Sequence, residues 1–392
     1  MKKICLIMPN VFPVPTTFSG GVEILMNILL DENEKEKKID LICVTIYEEK
    51  SYELSKKYKN TKFIHIKDAV RTLDMEGETL KEVYRKYLDK TYENIKDLEF
   101  DYVIFEASDP LVLEAGYLIK KLPNNTYIHH FHSADGMDIL EKADYLYKHY
   151  ICVSKFCINK MKTEFPEINS DKIKLLYNSI YLEKFVKRLN DTEKNEIKSK
   201  YGITNEDNVI TFTGRTVKEK GIEELILAFK QMKNRQKCKL LIIGNNTFGT
   251  NIITPFDEKL KEISNEFQNQ IIFTGFIKNE DLYKIHNITD IFVVPSLYEE
   301  AFGLVLVEAM ASGLPIITTN IGGIPEVVNK DCAFILDVYK DFINNLSNKL
   351  DFLFENPEIR QKFGNEAEIL SKKYSREEYY NNFVKLIESL KA

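Results

Sequence analysis

Two glutamates eight positions apart, Glu300 and Glu308, stand in the stretch IFVVPSLYEEAFGLVLVEAMASGLPIITTNIGGIPEVV, residues Ile291–Val328. The apolar run Ile291–Val294 ends at Pro295-Ser296, the pattern of a buried strand entering a loop. A helix is expected from about Phe302 to Ser312, closed by Gly313, with Pro315 just beyond it. Glu300 would then lie in the loop before the helix and Glu308 within it, roughly 12 Å apart at a rise of about 1.5 Å per residue. The N–H groups of Phe302, Gly303 and Leu304 would crown the helix N-terminus, where unpaired donors and aligned peptide dipoles favour an anion. Gly303 lacks a Cβ, so a ligand can approach the backbone there. A diphosphate with a sugar at one end and a ribose at the other has that length and charge pattern. The plainer alternative makes both glutamates solvated surface acids. Phe302, Leu304, Val305, Leu306 and Val307 argue against it, because they crowd Glu308 and a buried carboxyl needs a partner.

A second group follows the strand expected over Val209–Thr213. Gly214 gives a tight turn, and Arg215 and Lys220 flank the start of a helix near Gly221. Two cations and open N–H groups at the end of a strand could clamp a diphosphate, although surface Arg and Lys are common. In the first half, the connection PNVFPVPTTFSGG after the strand Ile4–Met8 is too long and proline-rich for an ordinary strand–helix turn of about 2–6 residues. Gly20 and Gly21 at its end could bring backbone N–H groups against a phosphate or an acceptor. The pair is not Gly-x-Gly-x-x-Gly, which tells against a nicotinamide cofactor. The strand Thr126–Phe131 leads into HHFHSADG, where alternation puts His130 and His132 on one face and His129 on the other. A metal would need further ligands, and the nearby sequence supplies no plausible set. His129 and His130 are therefore read as structural. His132 stands where the strand gives way to a loop containing Gly136, the end at which α/β sheets bind ligands.

The spacing Glu300–seven residues–Glu308, set in its glycine- and proline-punctuated frame, resembles the signature of retaining glycosyltransferase family 4. The resemblance extends to Gly214-Arg215…Lys220-Gly221, to Gly20-Gly21-Val22-Glu23 and to Phe131-His132. It implies the GT-B architecture, two facing Rossmann-like domains with a C-terminal helix crossing back to the first. It further implies that Arg215 and Lys220 neutralise the leaving nucleotide diphosphate and that Glu308 binds the ribose hydroxyls. Glu300 and the backbone of Phe302–Leu304 would orient the donor sugar, with His132 contacting it near the reacting centre. Gly20 and Gly21 would face the diphosphate, and the loop around Phe276 would receive the nucleobase through backbone groups. The donor implied is a nucleotide-diphosphate sugar, uridine being the expected base, and the partner a hydroxyl of a glycan or lipid-linked acceptor. No Asp-x-Asp occurs in the chain, and no metal or other cofactor is expected. One departure is Asn178-Ser179, where the family pattern has Asn-Gly.

The elements that must hold these groups alternate along the chain as strand and helix, the rhythm of parallel α/β sheets. At 392 residues two domains are the natural expectation. Residues 1–182 are read as the acceptor domain, 183–208 as a charged crossover, 209–374 as the donor domain and 375–392 as the returning helix. A content of 44% hydrophobic and 29% charged residues describes a soluble globular protein, and a net charge of −6 with no basic block gives no case for nucleic acid. No run of 18 apolar residues occurs, and ICLIM after Met1-Lys2-Lys3 stops at Pro9 without a cleavage site, so it reads as a first strand. Six cysteines without a Cys-x-x-Cys pair fit buried thiols in a cytoplasmic protein. Peripheral membrane docking is compatible with this composition, and a lipid-linked acceptor would require it. Three rivals remain: a non-catalytic nucleotide-sugar-binding protein of the same fold, a sugar-nucleotide epimerase, and a dinucleotide oxidoreductase lacking its glycine fingerprint.

Overall fold

The computed structural model describes residues 1–16, 20–72, 75–106, 111–134, 146–246 and 253–390. They divide into two units, Met1–Ile180 with Arg376–Ala392, and Tyr181–Ser375.

The first unit is built on seven parallel strands: β1 (Lys2–Ile7), β2 (Ile39–Ile46), β3 (Thr61–Ile66), β4 (Tyr102–Phe105), β5 (Thr126–Phe131), β6 (His149–Cys152) and β7 (Ile173–Leu175). Their order is β3-β2-β1-β4-β5-β6-β7. Central strands such as ICLI and YVIF are continuous apolar runs because helices cover both faces of a parallel sheet. The first helix, Gly21–Glu36, buries Leu25, Met26, Ile28 and Leu29 and ends at Lys37 in the left-handed conformation. It runs on through Asp31–Glu36, where Glu favours a helix and where Glu32 and Asn33 are buried.

The last helix, Arg376–Ser389, returns to this unit and packs on the first helix. Arg376 Nε meets Glu32 Oε1 at 3.1 Å, and the Tyr380 hydroxyl donates to Asn33 Oδ1 at 2.7 Å. The buried Tyr102 hydroxyl donates to the Leu390 carbonyl at 2.9 Å.

The second unit carries six parallel strands: β8 (Asn208–Thr213), β9 (Cys238–Ile243), β10 (Ile271–Gly275), β11 (Ile291–Val294), β12 (Ile316–Thr319) and β13 (Ala333–Leu336). Their order, β10-β9-β8-β11-β12-β13, reverses direction between β8 and β11, as in Rossmann-type sheets. Its core joins Phe212, Leu225, Phe229, Leu240 and Ile242 to Leu346 and Leu350. The segment read as a crossover holds two helices, Leu182–Phe185 and Asp191–Lys200, the latter opened by an Asn190–Glu193 capping box. Both lie in the second unit. All six cysteines are buried, and none is in a disulfide. No helix among the described residues is long and apolar enough to cross a membrane.

Candidate active site

In the second unit the turns after β8, β11 and β12 meet at Glu300. Gly221, at φ 67°, lies so close to the β11 exit that a Cβ there would stand 1.9 Å from the Pro295 carbonyl oxygen. Leu297 N–H donates to the Glu219 carbonyl at 2.8 Å, tying the same two turns. Lys220 is thereby delivered to Glu300: its Nζ donates to Glu300 Oε1 in a part-buried ion pair. The Ser296 hydroxyl donates to the same oxygen at 2.8 Å, and Thr319 Oγ1 holds the Ser296 carbonyl at 2.7 Å. The Glu300 backbone is fixed as firmly. Gly323 N–H donates to its carbonyl at 2.7 Å, and a Cβ on Gly322, φ 62°, would stand 2.4 Å from that oxygen.

Replacing Gly322 by alanine therefore adds both left-handed strain and a backbone collision. A loss of roughly 2 kcal/mol or more is expected in urea unfolding. Wild-type stability in that variant would show that the Glu300 turn yields without cost.

The helix following Glu300 runs Leu304–Ala311, two residues later than expected. Gly303 caps it at φ 94°, a conformation that cannot begin a right-handed helix. The Phe302 side chain is buried, its ring 5.4 Å from that of Tyr374 in an edge-on contact. Phe302 can thus offer a ligand only its backbone. Leu306 N–H donates to the Gly303 carbonyl at 3.0 Å, while the N–H groups of Leu304 and Val305 lack acceptors within the helix, and the helix dipole points at the Glu300 loop.

Glu308 is 7% exposed, and Asn279 Nδ2, at the start of the helix Asn279–His286, donates to its Oε1 at 2.9 Å. Burial pushes this carboxyl up to about 7, with the Asn279 hydrogen bond opposing it. Asn279 was not legible as a partner; its one signal is its place in the turn after β10, at a strand's C-terminal end. His286 is buried, and its Nδ1 meets Ser312 Oγ at 2.7 Å. That hydroxyl donates to the Glu308 carbonyl at 3.0 Å, so His286 braces the helix from behind.

Arg215 is exposed and forms no ion pair among the described residues. Gly214 continues the β8–β9 pairing through its N–H to Ile243. Phe276 follows β10 and is 42% exposed, beside the Gly275 carbonyl that accepts from Gly244 N–H at 2.9 Å.

In the first unit, Gly20 precedes the helix that Gly21 begins. The Glu23 carboxylate lies against Gly20, where an added Cβ would meet it at 1.8 Å, and burial pushes that carboxyl up to about 7. Thr17–Ser19 and Gly136 fall outside the described residues.

The three histidines divide as alternation requires. His129 packs its ring against Phe131, with centroids 3.8 Å apart. His130 Nδ1 and His132 Nε2 both reach one oxygen, Glu106 Oε2, each at 2.8 Å. Glu106 follows β4 and is fully buried. Nothing beside these histidines in the sequence completes a ligand set, but in the structure Glu106, His130 and His132 bring three possible ligand atoms within 4.8 Å of one another. The partner comes from the neighbouring strand, where local sequence does not show it.

Two Rossmann-like units in one chain, the second with a helix start set between two fixed glutamates, define a GT-B protein. Residues 193–369 match the family model described as glycosyl transferases group 1. An uncharacterized glycosyltransferase of Methanocaldococcus jannaschii is 26% identical over 245 residues, 59% of this chain and 60% of that one. Spore coat protein SA of Bacillus subtilis is 25% identical over 398 residues, covering 97% of this chain and 95% of its own. Among solved structures, Anabaena HepE in complex with UDP and glucose shares the fold with a TM-score of 0.77 over all of both chains, at 16% identity. The chain has the GT-B fold, and residues 193–369 within it are similar to group 1 glycosyl transferases.

Proposed function

We propose that the protein is a retaining glycosyltransferase that moves a sugar from a nucleotide-diphosphate sugar, a UDP-sugar, to a hydroxyl of a glycan or lipid-linked acceptor in cell-envelope or polysaccharide synthesis. The observation that carries this reading is Glu300, held through backbone and carboxylate beside Lys220 at the N-terminus of Leu304–Ala311. Lys220 and the exposed Arg215 neutralise the diphosphate as it departs, while the helix N–H groups meet its oxygens. Glu308 accepts the ribose hydroxyls, and Glu300 with the Gly303 and Leu304 backbone orients the sugar. Phe276 marks the loop that receives the base. The first unit contributes Gly20, Gly21 and, toward the sugar, His132.

In a retaining transfer of this kind the departing phosphate assists the incoming hydroxyl on the same face. Stabilisation of the phosphate's charge is then the protein's main contribution. Two cations fill that role without an Asp-x-Asp motif, and the enzyme is expected to work in the presence of a chelator. It acts in the cytoplasm, docking at a membrane surface when the acceptor is lipid-linked.

A relative that aligns over almost the whole chain is named as a spore coat protein, which favours a second reading, a nucleotide-binding coat component without turnover. Nucleotide release from UDP-, GDP- and ADP-sugars, with a chelator and no added metal, separates the two. Slow release of UDP from one donor is expected. Binding of UDP without release from any donor, even with glycan acceptors added, would support the coat component. Isomerisation of the sugar without release would identify an epimerase. No binding of any nucleotide would overturn the roles given to Arg215, Lys220 and Glu308.

A further inference from the structure

We infer that Asn279 is a positioning residue: its side-chain amide fixes the Glu308 carboxylate through Oε1 and leaves Oε2 to the donor's hydroxyls. Asn279 Nδ2 lies 2.9 Å from Glu308 Oε1, and among the described residues no other donor meets that carboxylate. An ionised carboxylate has only lone pairs to offer, so the amide must turn its N–H toward it. A neutral Glu308 keeps the same bond, with its proton on Oε2.

The two helices do not need this bond to stay packed. Leu282 and Ile285 are buried along Asn279–His286, and His286 ties that helix to Ser312, which caps Leu304–Ala311. Asn287, just past its end, donates to the Lys187 carbonyl at 2.8 Å and accepts from Leu189 N–H at 2.9 Å. Asn279 stands at the opposite end, in the first turn, where an acid would suit the helix dipole better. Glu280 and Asp281 follow that preference. The neutral amide at 279 departs from it and spares Glu308 a second negative charge at hydrogen-bond distance.

Few charges share the task. Burial disfavours the ionised Glu308, the Asn279 bond opposes burial, and Lys184 on Leu182–Phe185 adds a smaller pull. His286 is pushed down to about 3 by burial and is neutral near pH 7. On the helix Pro357–Ser371, Glu368 is paired with Arg188 at 3.0 Å, beside Gly313 past the far end of the Glu308 helix. The strand β12, also packed on that helix, carries no ionisable side chain.

For function the inference rests on the reading of Glu308 as the ribose contact. With Oε1 pinned, the plane of the carboxylate is set before the donor arrives. The same bond favours the ionised form, which accepts hydroxyls best. Asn279 thereby sets donor affinity through Glu308.

The test follows the Glu308 carboxyl carbon by ¹³C NMR from pH 4 to 9 in the full chain without donor, assigned through Glu308→Gln. The Asn279 side-chain amide is followed in the same samples, and in wild type the two signals should move with one midpoint. Asn279→Ala should raise the carboxyl midpoint by about one pH unit. UDP-sugar affinity should then fall about fivefold at pH 7 and less than about twofold at pH 9. Asn279→Asp, which suits the helix start, should cost more than about tenfold at pH 7, because two carboxylates so close cannot both ionise. An Asn279 amide indifferent to the Glu308 titration would overturn the inference in wild type alone, whether or not either variant folds. So would an unchanged carboxyl midpoint in Asn279→Ala. The titrations need no substrate. A raised midpoint with unaltered donor affinity would uphold the Asn279 bond and fault only the ribose role of Glu308.

Discussion

Glu300→Ala is expected to lower donor turnover by about 10²–10³-fold, or 3–4 kcal/mol of transition-state stabilisation. UDP binding should be retained or tightened. The asymmetry follows from the ion pair: Glu300 Oε1 accepts from Lys220 and Ser296, so deleting it frees the ammonium that a diphosphate needs. The fold should survive. Lys220 keeps a quarter of its side-chain surface exposed and can be hydrated, and the Glu300 turn is still tied by Gly323 N–H. Isothermal titration with UDP alongside a release assay measures both halves. Loss of UDP affinity in step with turnover would show that Glu300 organises nucleotide binding, and undiminished turnover would remove it from the site.

Glu308→Gln should move two observables in opposite directions. The folded-state carboxyl is raised from 4.5 to about 7, chiefly by burial. Below pH 4.5 both the folded and unfolded forms are protonated and the group contributes nothing. As pH rises from there to about 7 the unfolded chain loses its proton and the native chain keeps it, so stability declines across that window and the full cost is present above it. Glutamine never pays that penalty, and at pH 8 the donor-free variant should be more stable than wild type by up to about 3 kcal/mol. Donor binding moves the other way. An ionised carboxylate can accept from two ribose hydroxyls, whereas the amide offers one oxygen, and donor KM should rise by about 10- to 100-fold. In wild type, affinity for an intact UDP-sugar should increase roughly tenfold between pH 6 and pH 8, as the carboxyl ionises. A flat pH profile together with an unchanged Tm for the variant would mean that Glu308 is neither buried in the resting protein nor used by the donor.

Much of the framework was legible because buried parallel strands are written as uninterrupted apolar runs. Thr126–Phe131 and Ile291–Val294 fall where the sequence puts them, and the strand expected over Val209–Thr213 starts one residue earlier, at Asn208. The helices Glu49–Ser55, Leu111–Lys121 and Pro255–Ser264 were not read, the first being short and polar enough to pass for loop. Glycine punctuation marked where the chain turns but not what the turn approaches. That Gly322 admits the Glu300 backbone, or Gly221 the Pro295 carbonyl, depends on β12 and β8 both neighbouring β11. The same limit hid Glu106. Period-two alternation set His130 and His132 on one face, but the residue they both reach comes just after β4, 24 positions before His130. Strand order is a property of the sheet, and the first polar residue after the apolar run YVIF is a signal that gains meaning only once that order is known.

The return of Arg376–Ser389 to the first helix bears on how the protein is made. Residues 181–375 are contiguous and can complete their sheet as they leave the ribosome. The first unit must wait until Arg376–Ser389 has been made, because Asn33 and Tyr102 receive their partners Tyr380 and Leu390 only after about 350 and 290 further residues have been added. Chains terminated early would therefore pair a finished second unit with a first unit missing one wall. Such products offer proteases a ready target, and in the intact chain the first unit is sealed only after the second has been made.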